Sequence, residues 1–318
     1  MENNKNSSSK NDSLSKIRSK YIIMKILDNL QHDILLRIIN YNKKLQKIMS
    51  IKRNDYEKEF LKIEIQLYPK ENNKGNFINI NNNKYCHIYF NNKASEEKRN
   101  YITENEAISY IKIIIDYKLK KIPQLFKNCK CIKSLNFKRF KRDDINNISE
   151  MFSGCSNLEK ITFANFDTKY ITNMYALFFK CTSLKKLNLS NFNTSNVTNM
   201  SNMFFGCVSL KELDVSNFDT SKVINMSFMF SGCTALDKLN VSNFNTSNVM
   251  NMSYMFFGCY SIKKLNLGNF RNNYIIDVYA MFGNCKSLNE LDISNININK
   301  CINIETMFEG CISLQKDN

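Results

Sequence analysis

The sequence predicts an α/β solenoid, with a parallel sheet along one side and a row of short helices along the other. Three observations carry the prediction. Cys129, Cys155, Cys181, Cys207, Cys233, Cys259, Cys285 and Cys311 recur every 26 residues, leaving only Cys86, Cys131 and Cys301 outside the series. The text around them repeats as well: Val197 to Cys207 returns as Val223 to Cys233 and Val249 to Cys259, with looser copies at Ile145 to Cys155, Ile171 to Cys181, Ile275 to Cys285 and Cys301 to Cys311. Two periodicities alternate inside each copy. A fixed period of about 20–50 residues marks a stacked architecture, because one such unit cannot bury its own apolar face.

Each unit opens with a stretch of helical spacing: Val197, Met200, Met203 with Phe204, and Cys207. These fall on one face of a short helix. Leu210, Leu213 and Val215 follow, with Leu213 and Val215 on the same side at a period of two, as in a strand. Ser216-Asn217 and Asp219-Thr220-Ser221 then turn the chain back. Stacking such units predicts a continuous sheet opposite a row of helices over 119–318, in seven to eight copies.

The unit Met-Phe-x-x-Cys-x-x-Leu-x-x-Leu-x-Leu-Ser-Asn-Phe resembles the 26-residue variant of the BspA-like leucine-rich-repeat proteins. The resemblance covers about residues 119–318. It implies a leucine-rich-repeat-like solenoid and a binding role, often at cell surfaces, and it brings no catalytic residues.

The cysteine column (Cys155, Cys181, Cys207, Cys233, Cys259, Cys285, Cys311) is read as a packed structural row. A metal site needs two to four converging ligands. Only Cys129 and Cys131 are close in sequence, and both histidines, His32 and His87, lie outside the repeat, so no metal or cofactor is expected. A second structural column, Asn191, Asn217 and Asn243, continuing to Asn269 and Asn295, is read as inward-turned and bonded to turn backbone. The alternative for the asparagines is glycan attachment at sequons such as Asn199-Met200-Ser201.

Strand positions pointing away from the core form the candidate binding face. One column is Lys186, Glu212, Lys238, Lys264 and Glu290, begun by Lys160; the next is Asn188, Asp214, Asn240, Asn266 and Asp292, begun by Thr162. A mostly serine column follows. Exposed aromatics on the helical side, Phe205, Tyr254 and Phe257, define a rival surface.

Ahead of the repeats, residues 1–18 are polar and expected to be disordered. Residues 19–66 carry helical spacing (Ile26, Leu27, Leu30; Ile34, Leu35, Ile38, Ile39; Leu45, Ile48). This segment weakly resembles an F-box and lacks its usual Leu-Pro entry. The reading that it is an intracellular ligase adaptor stands beside the reading that it is a helical cap. Residues 67–118 are expected to contain strands and lead into the solenoid. Leu61–Leu67 and Tyr85–Phe90 read as strands around an Asn-rich loop, and Ile111, Ile113 and Ile115 read as a strand starting the stack. Thr103 and Glu106 form a capping-box pattern that argues for a helix there instead.

The formal charge of +16 is uneven, with 31 Lys+Arg against 17 Asp+Glu in residues 1–150 and 14 against 12 in 151–318. The basic cluster Lys138, Arg139, Lys141 and Arg142, with Lys127, Lys130 and Lys133 nearby, is a candidate anionic contact. No nucleic-acid motif accompanies it, and nucleic acid is not the expected partner. No phosphate loop, His-Glu-x-x-His or nucleophile elbow is present, so the expected role is a non-catalytic scaffold for a protein or glycan. An adhesin-like role at the cell surface is the family alternative. No apolar run of about 18 residues predicts a membrane span, and the polar N-terminus predicts a cytoplasmic setting. Leu314 opens a further strand with no polar unit after it, which predicts self-association through that edge.

Overall fold

The computed structural model describes residues 61–72, 74–80, 83–271, 274, 277–301 and 303–314, together with 22, 25, 38, 42, 43 and 47. The chain divides into two compact units, Met1–Lys62 and Ile63–Asn318. In the first, Ile22, Lys25, Ile38, Lys43 and Lys47 are helical. The tail 1–18 and most of the F-box-like or capping segment 19–66 lie outside the described residues.

The second unit is mostly strand and turn. Its strands are β1 (Ile63–Pro69), β2 (Gly75–Asn76), β3 (Cys86–Phe90), β4 (Tyr101–Ile102), β5 (Ile111–Ile115), β6 (Ile132–Arg139), β7 (Lys160–Phe163), β8 (Glu212–Asp214), β9 (Lys238–Asn240), β10 (Lys264–Asn266) and β11 (Glu290–Asp292). β1 and β3 fall on the stretches read as strands, Leu61–Leu67 and Tyr85–Phe90, and β1 takes the last residues of the segment 19–66. Alternating burial along β1, β3 and β5 comes from β-branched and aromatic residues at a period of two.

A five-stranded sheet runs in the order β3-β5-β1-β6-β7. β5 is a strand as expected, but it does not start the stack. It pairs antiparallel with β1 and β3, and β1 lies antiparallel along β6, the first repeat strand. Glu106 does accept the Thr103 N–H at 2.7 Å, but Asn105, at φ 64°, turns the chain out of any helix. On the turn side, Asn79 caps the first unit. Its N–H donates to the Leu125 carbonyl at 2.7 Å and its side-chain amide to the Gln124 and Lys127 carbonyls.

From β6 onward the chain is a repeat-like, β-rich fold. Parallel pairing joins β6 to β7, β8 to β9 and β10 to β11, always 26 residues apart. A second line of parallel bridges runs from Asn147 through Asn173, Asn199, Asn225 and Asn251 to Asp277 and Asn303.

The short helices expected in each unit are replaced by consecutive tight turns. Met203, Phe205 and Cys207 N–H groups donate three residues back, to Met200, Asn202 and Phe204. The intervening N–H groups of Met200, Asn202, Phe204 and Gly206 donate forward to Asn225, Ser227, Met229 and Ser231 of the next unit. An α-helix would spend all of them four residues back. Left-handed backbone at Asn202 (φ 59°) and Gly206 (φ 68°) forbids it, and the same pair of positions is left-handed in the other units. The apolar spacing is nevertheless satisfied, because each turn brings every third or fourth side chain inward. Val197, Met200, Met203, Phe204 and Cys207 are all fully buried.

The core is a set of ladders. The rings of Phe126, Phe152, Phe178, Phe204, Phe230, Phe256, Phe282 and Phe308 stack with centroids 5.4–5.8 Å apart. Each buried side chain of this size contributes about 1.5–3 kcal/mol, and the ladder welds each unit to the next.

Candidate functional site

The outward residues of the repeat strands form one polar face. In β8 and β10 the centre residue is buried and both flanks are exposed. Register sets Glu212 beside Lys238, Lys264 beside Glu290, Asp214 beside Asn240, and Asn266 beside Asp292. Lys186 and Asn188, also exposed, occupy the matching place in the unit before β8. A groove of about 1030 Å³ crosses this face, lined by Lys160, Thr162, Lys186, Asn188, Glu212 and Asp214 among others. Two smaller depressions continue it towards Lys238 and Lys264.

One column that the sequence reading passed over belongs to the face. Glu159, Lys185, Lys211, Asp237 and Lys263, one residue before the chosen column, are exposed and line the grooves. Charge recurring at a period of 26 is the signal that would have found them. Lys186 pairs with Glu212 at 3.8 Å and Lys264 with Glu290 at 2.5 Å, both exposed to solvent, where such pairs are worth about 0–1 kcal/mol.

The column Asn188, Asp214, Asn240, Asn266 and Asp292 is exposed but not uncommitted. Each side-chain oxygen accepts the N–H two residues on, from Ser190, Ser216, Ser242, Gly268 and Ser294, at 2.9–3.0 Å. These are Asx turns, which close the strand end. Bonds from the Ser216 hydroxyl and N–H hold the Asp214 carboxyl below its ordinary pKa, and the Ser294 N–H and hydroxyl do the same for Asp292.

Asn191, Asn217, Asn243, Asn269 and Asn295 do not turn inward; they are exposed. Their amides reach back one unit and donate to turn carbonyls: Asn191 to Phe163, Asn217 to Leu189 and Phe192, Asn243 to Ser216, Asn269 to Ser242, and Asn295 to Gly268. The sequon at Asn199 takes part in a turn of the fold. Asn199 Oδ1 accepts from the Ser201 N–H and hydroxyl, and Ser201 is buried.

Every cysteine of the column is buried with a free thiol. Cys155, Cys181, Cys207, Cys233, Cys259, Cys285 and Cys311 each donate to the phenylalanine carbonyl 29 residues earlier, at 2.9–3.2 Å. Burial pushes the thiols up, Cys233 to about 12, so they carry little of the thiolate that nucleophilic or metal chemistry needs. Among the described residues no group of three or more His, Cys, Asp or Glu is placed to hold a metal ion.

The basic cluster does not form one patch. Arg142 is buried, gripping Asp144 through Nε at 2.7 Å and Nη2 at 3.0 Å and donating to the Tyr117 and Leu119 carbonyls. Lys127 pairs with Glu150, Arg139 and Lys141 have partners of their own, and Lys138 is exposed. The rival aromatic surface is also altered. Phe205, Tyr254 and Phe257 are half-buried, Phe205 stacks on Phe179 at 4.8 Å, and Tyr254 stacks on Phe228 at 4.5 Å. Stacking thus covers one flat face each of Phe205 and Tyr254, and Phe257 meets Tyr254 edge to face.

No described helix is long and apolar enough to cross a membrane. No curated protein matches the chain, and no solved structure matches it. A family model described as "Mycoplasma protein of unknown function, DUF285" matches residues 120–238 and again 205–318. The two overlapping matches together span the turn-and-strand units from the first repeat onward, and by them the chain belongs to the DUF285 family.

Proposed function

We propose that the chain is a non-catalytic recognition scaffold: a leucine-rich-repeat-like solenoid, of the BspA-like kind its unit resembles, whose charged strand face holds a protein partner. One observation carries the reading. Successive units are cross-bonded by strand pairing, by thiol-to-carbonyl bonds and by asparagine amides, while the charged columns on those same strands face solvent over a groove of about 1030 Å³. A surface fixed this firmly loses little entropy on binding, which is the advantage of preorganisation. Rungs of mixed sign with no aromatic among them suit a charged protein surface, where electrostatic complementarity steers the encounter and sets the register.

A photoreactive residue placed at Asn240, on the face, tests this in the native cell against one at Tyr175, on the turn side. Reproducible adducts from Asn240, lost when Lys185, Lys186, Lys263 and Lys264 are neutralised, are expected. Adducts only from Tyr175 overturn the reading.

A further inference from the structure

The charges on the strand face carry a second period, of three units. Glu159-Lys160 is followed by Lys185-Lys186 and then by Lys211-Glu212 with Asp214. The series then begins again as Asp237-Lys238, Lys263-Lys264, and Asn289-Glu290 with Asp292. Lys186 and Lys264 are thus 78 residues apart, as are Glu212 and Glu290. The turn side shows no such order at its matching positions, where Tyr175, Ser201, Ser227, Ser253 and Tyr279 are uncharged.

From this register we infer that the face is self-complementary and that its occupant is a second copy of the chain. The inference rests on the recognition reading of the same face. Two copies related by a twofold axis along the strand direction, through the Lys238 rung, meet with their rungs in opposite order. Lys186 then faces Glu290 of the second copy, Glu212 faces Lys264, and each contact is made twice; Lys211 faces Lys263, but with Glu212 and Asp214 beside it the Lys211–Asp214 rung carries net negative charge and still meets the basic Lys263-Lys264 rung. The doubly basic Lys185-Lys186 rung meets the doubly acidic Glu290–Asp292 rung. At the centre, each Lys238 has Asp237 beside it, so two internally balanced rungs meet. A partner of one charge sign would gain from half of these rungs and be repelled by the rest, whereas a second copy in this order uses both signs.

The five rungs from Lys186 to Glu290 span roughly 19 Å at the usual strand spacing. Such a patch is smaller than the ~800 Å² per partner of a stable complex, so the dimer is weak and screened by salt.

Mixing two variants tests the inference. K186E and E290K each bring like charges together twice in their own dimer, but the two chains paired with each other restore both contacts. Both sites are exposed, and equal melting temperatures check that the variants fold. Sedimentation of the full chain at submillimolar concentration and low salt is expected to show wild-type dimer, at least tenfold weaker association for either variant alone, and recovery on mixing. Failure to recover, a wild-type monomer under these conditions, or a dimer unaffected by either substitution overturns the inference. A dimer abolished by Phe308→Glu but not by K186E overturns it too, and moves the contact to the last unit. If mixing fails while the probe at Asn240 still captures another protein in the cell, the inference falls and the recognition reading stands. If both fail, both fall.

Discussion

The thiol of Cys233 donates to the carbonyl oxygen of Phe204 at 3.1 Å, across the boundary between one unit and the one before it. That carbonyl also accepts the Cys207 N–H, so the cysteine row stitches each turn to the next without a disulfide. The row sets an alkaline limit on the fold. Cys233 and Cys285 are pushed up to about 12 by burial, and Cys181, Cys207 and Cys259 are raised well above their ordinary value. The unfolded chain gives up these protons near pH 9 and the folded chain keeps them. The folded state then binds more protons, and stability, fully present below pH 8, falls as pH rises towards the folded values. Every thiol held protonated by burial adds to this loss, so the row as a whole makes the fold sensitive to alkali. Denaturant midpoints should hold from pH 7 to 8 and collapse by pH 10; an unchanged midpoint at pH 10 would refute this.

Two asparagine columns should respond oppositely to aspartate. Asn243 donates its amide to Ser216 of the preceding unit, whereas Asn240 accepts the Ser242 N–H on its oxygen. An aspartate can replace an acceptor but not a donor. N243D should therefore cost about 0.5–1.5 kcal/mol by removing the donor and setting a carboxylate beside a turn carbonyl, and N240D should be close to neutral. Urea denaturation of both variants checks the pair, and equal losses would show that the bonds do not set the difference.

The sequence already carries this distinction. Aspartate occurs in the accepting columns, at Asp214, Asp292, Asp219 and Asp277, and never in the donating column from Asn165 to Asn295. Alternation along Leu213 and Val215 was enough to place Asn188 and Asp214 outward, but it could not show their oxygens closing turns. The stacked units were legible because a period of 26 in Cys and Leu has few other causes. The helices were misread for a physical reason. Inward positions at Val197, Met200, Met203 and Cys207 fit a helix and a chain of turns equally well. Gly206 marks one left-handed position in its unit, but the other, held by Glu150, Ala176, Phe228 and Tyr254 in different units, leaves no compositional trace. Arg142 was grouped with its basic neighbours because charge in sequence does not reveal burial.

Arg142 should matter to folding and little to binding. Its guanidinium is sealed from solvent, paired with Asp144 at two points and bonded to two carbonyls at Tyr117 and Leu119. Arg142→Ala empties a buried site and leaves the Tyr117 and Leu119 carbonyls without their donor, and should cost about 1–3 kcal/mol. Arg142→Lys recovers little of it, because an ammonium lacks the planar fork that engages Asp144 and both carbonyls together. Lys138→Ala, on the surface nearby, should change stability by less than about 0.5 kcal/mol. Thermal melts of the three variants decide it, and parity between Arg142→Ala and Lys138→Ala would contradict a structural role for the buried guanidinium.

Left-handed positions in the turns give a pair of substitutions of opposite sign. Gly232 has φ 70°, and a Cβ there would meet Gly206 Cα at 3.5 Å, an ordinary contact. The penalty of Gly232→Ala is therefore backbone strain of about 1–2 kcal/mol, partly offset by a stiffer unfolded chain, leaving a net loss near 1 kcal/mol. Thr306 holds the other left-handed position at φ 54° with a β-branched side chain exposed to solvent, where nothing in packing compensates. Thr306→Gly should stabilise its turn by a similar amount. Slower hydrogen exchange at the Glu309 N–H, which donates to the Thr306 carbonyl at 3.0 Å, would register the gain. Faster exchange there would mean that the threonine side chain supports the turn more than its backbone strains it.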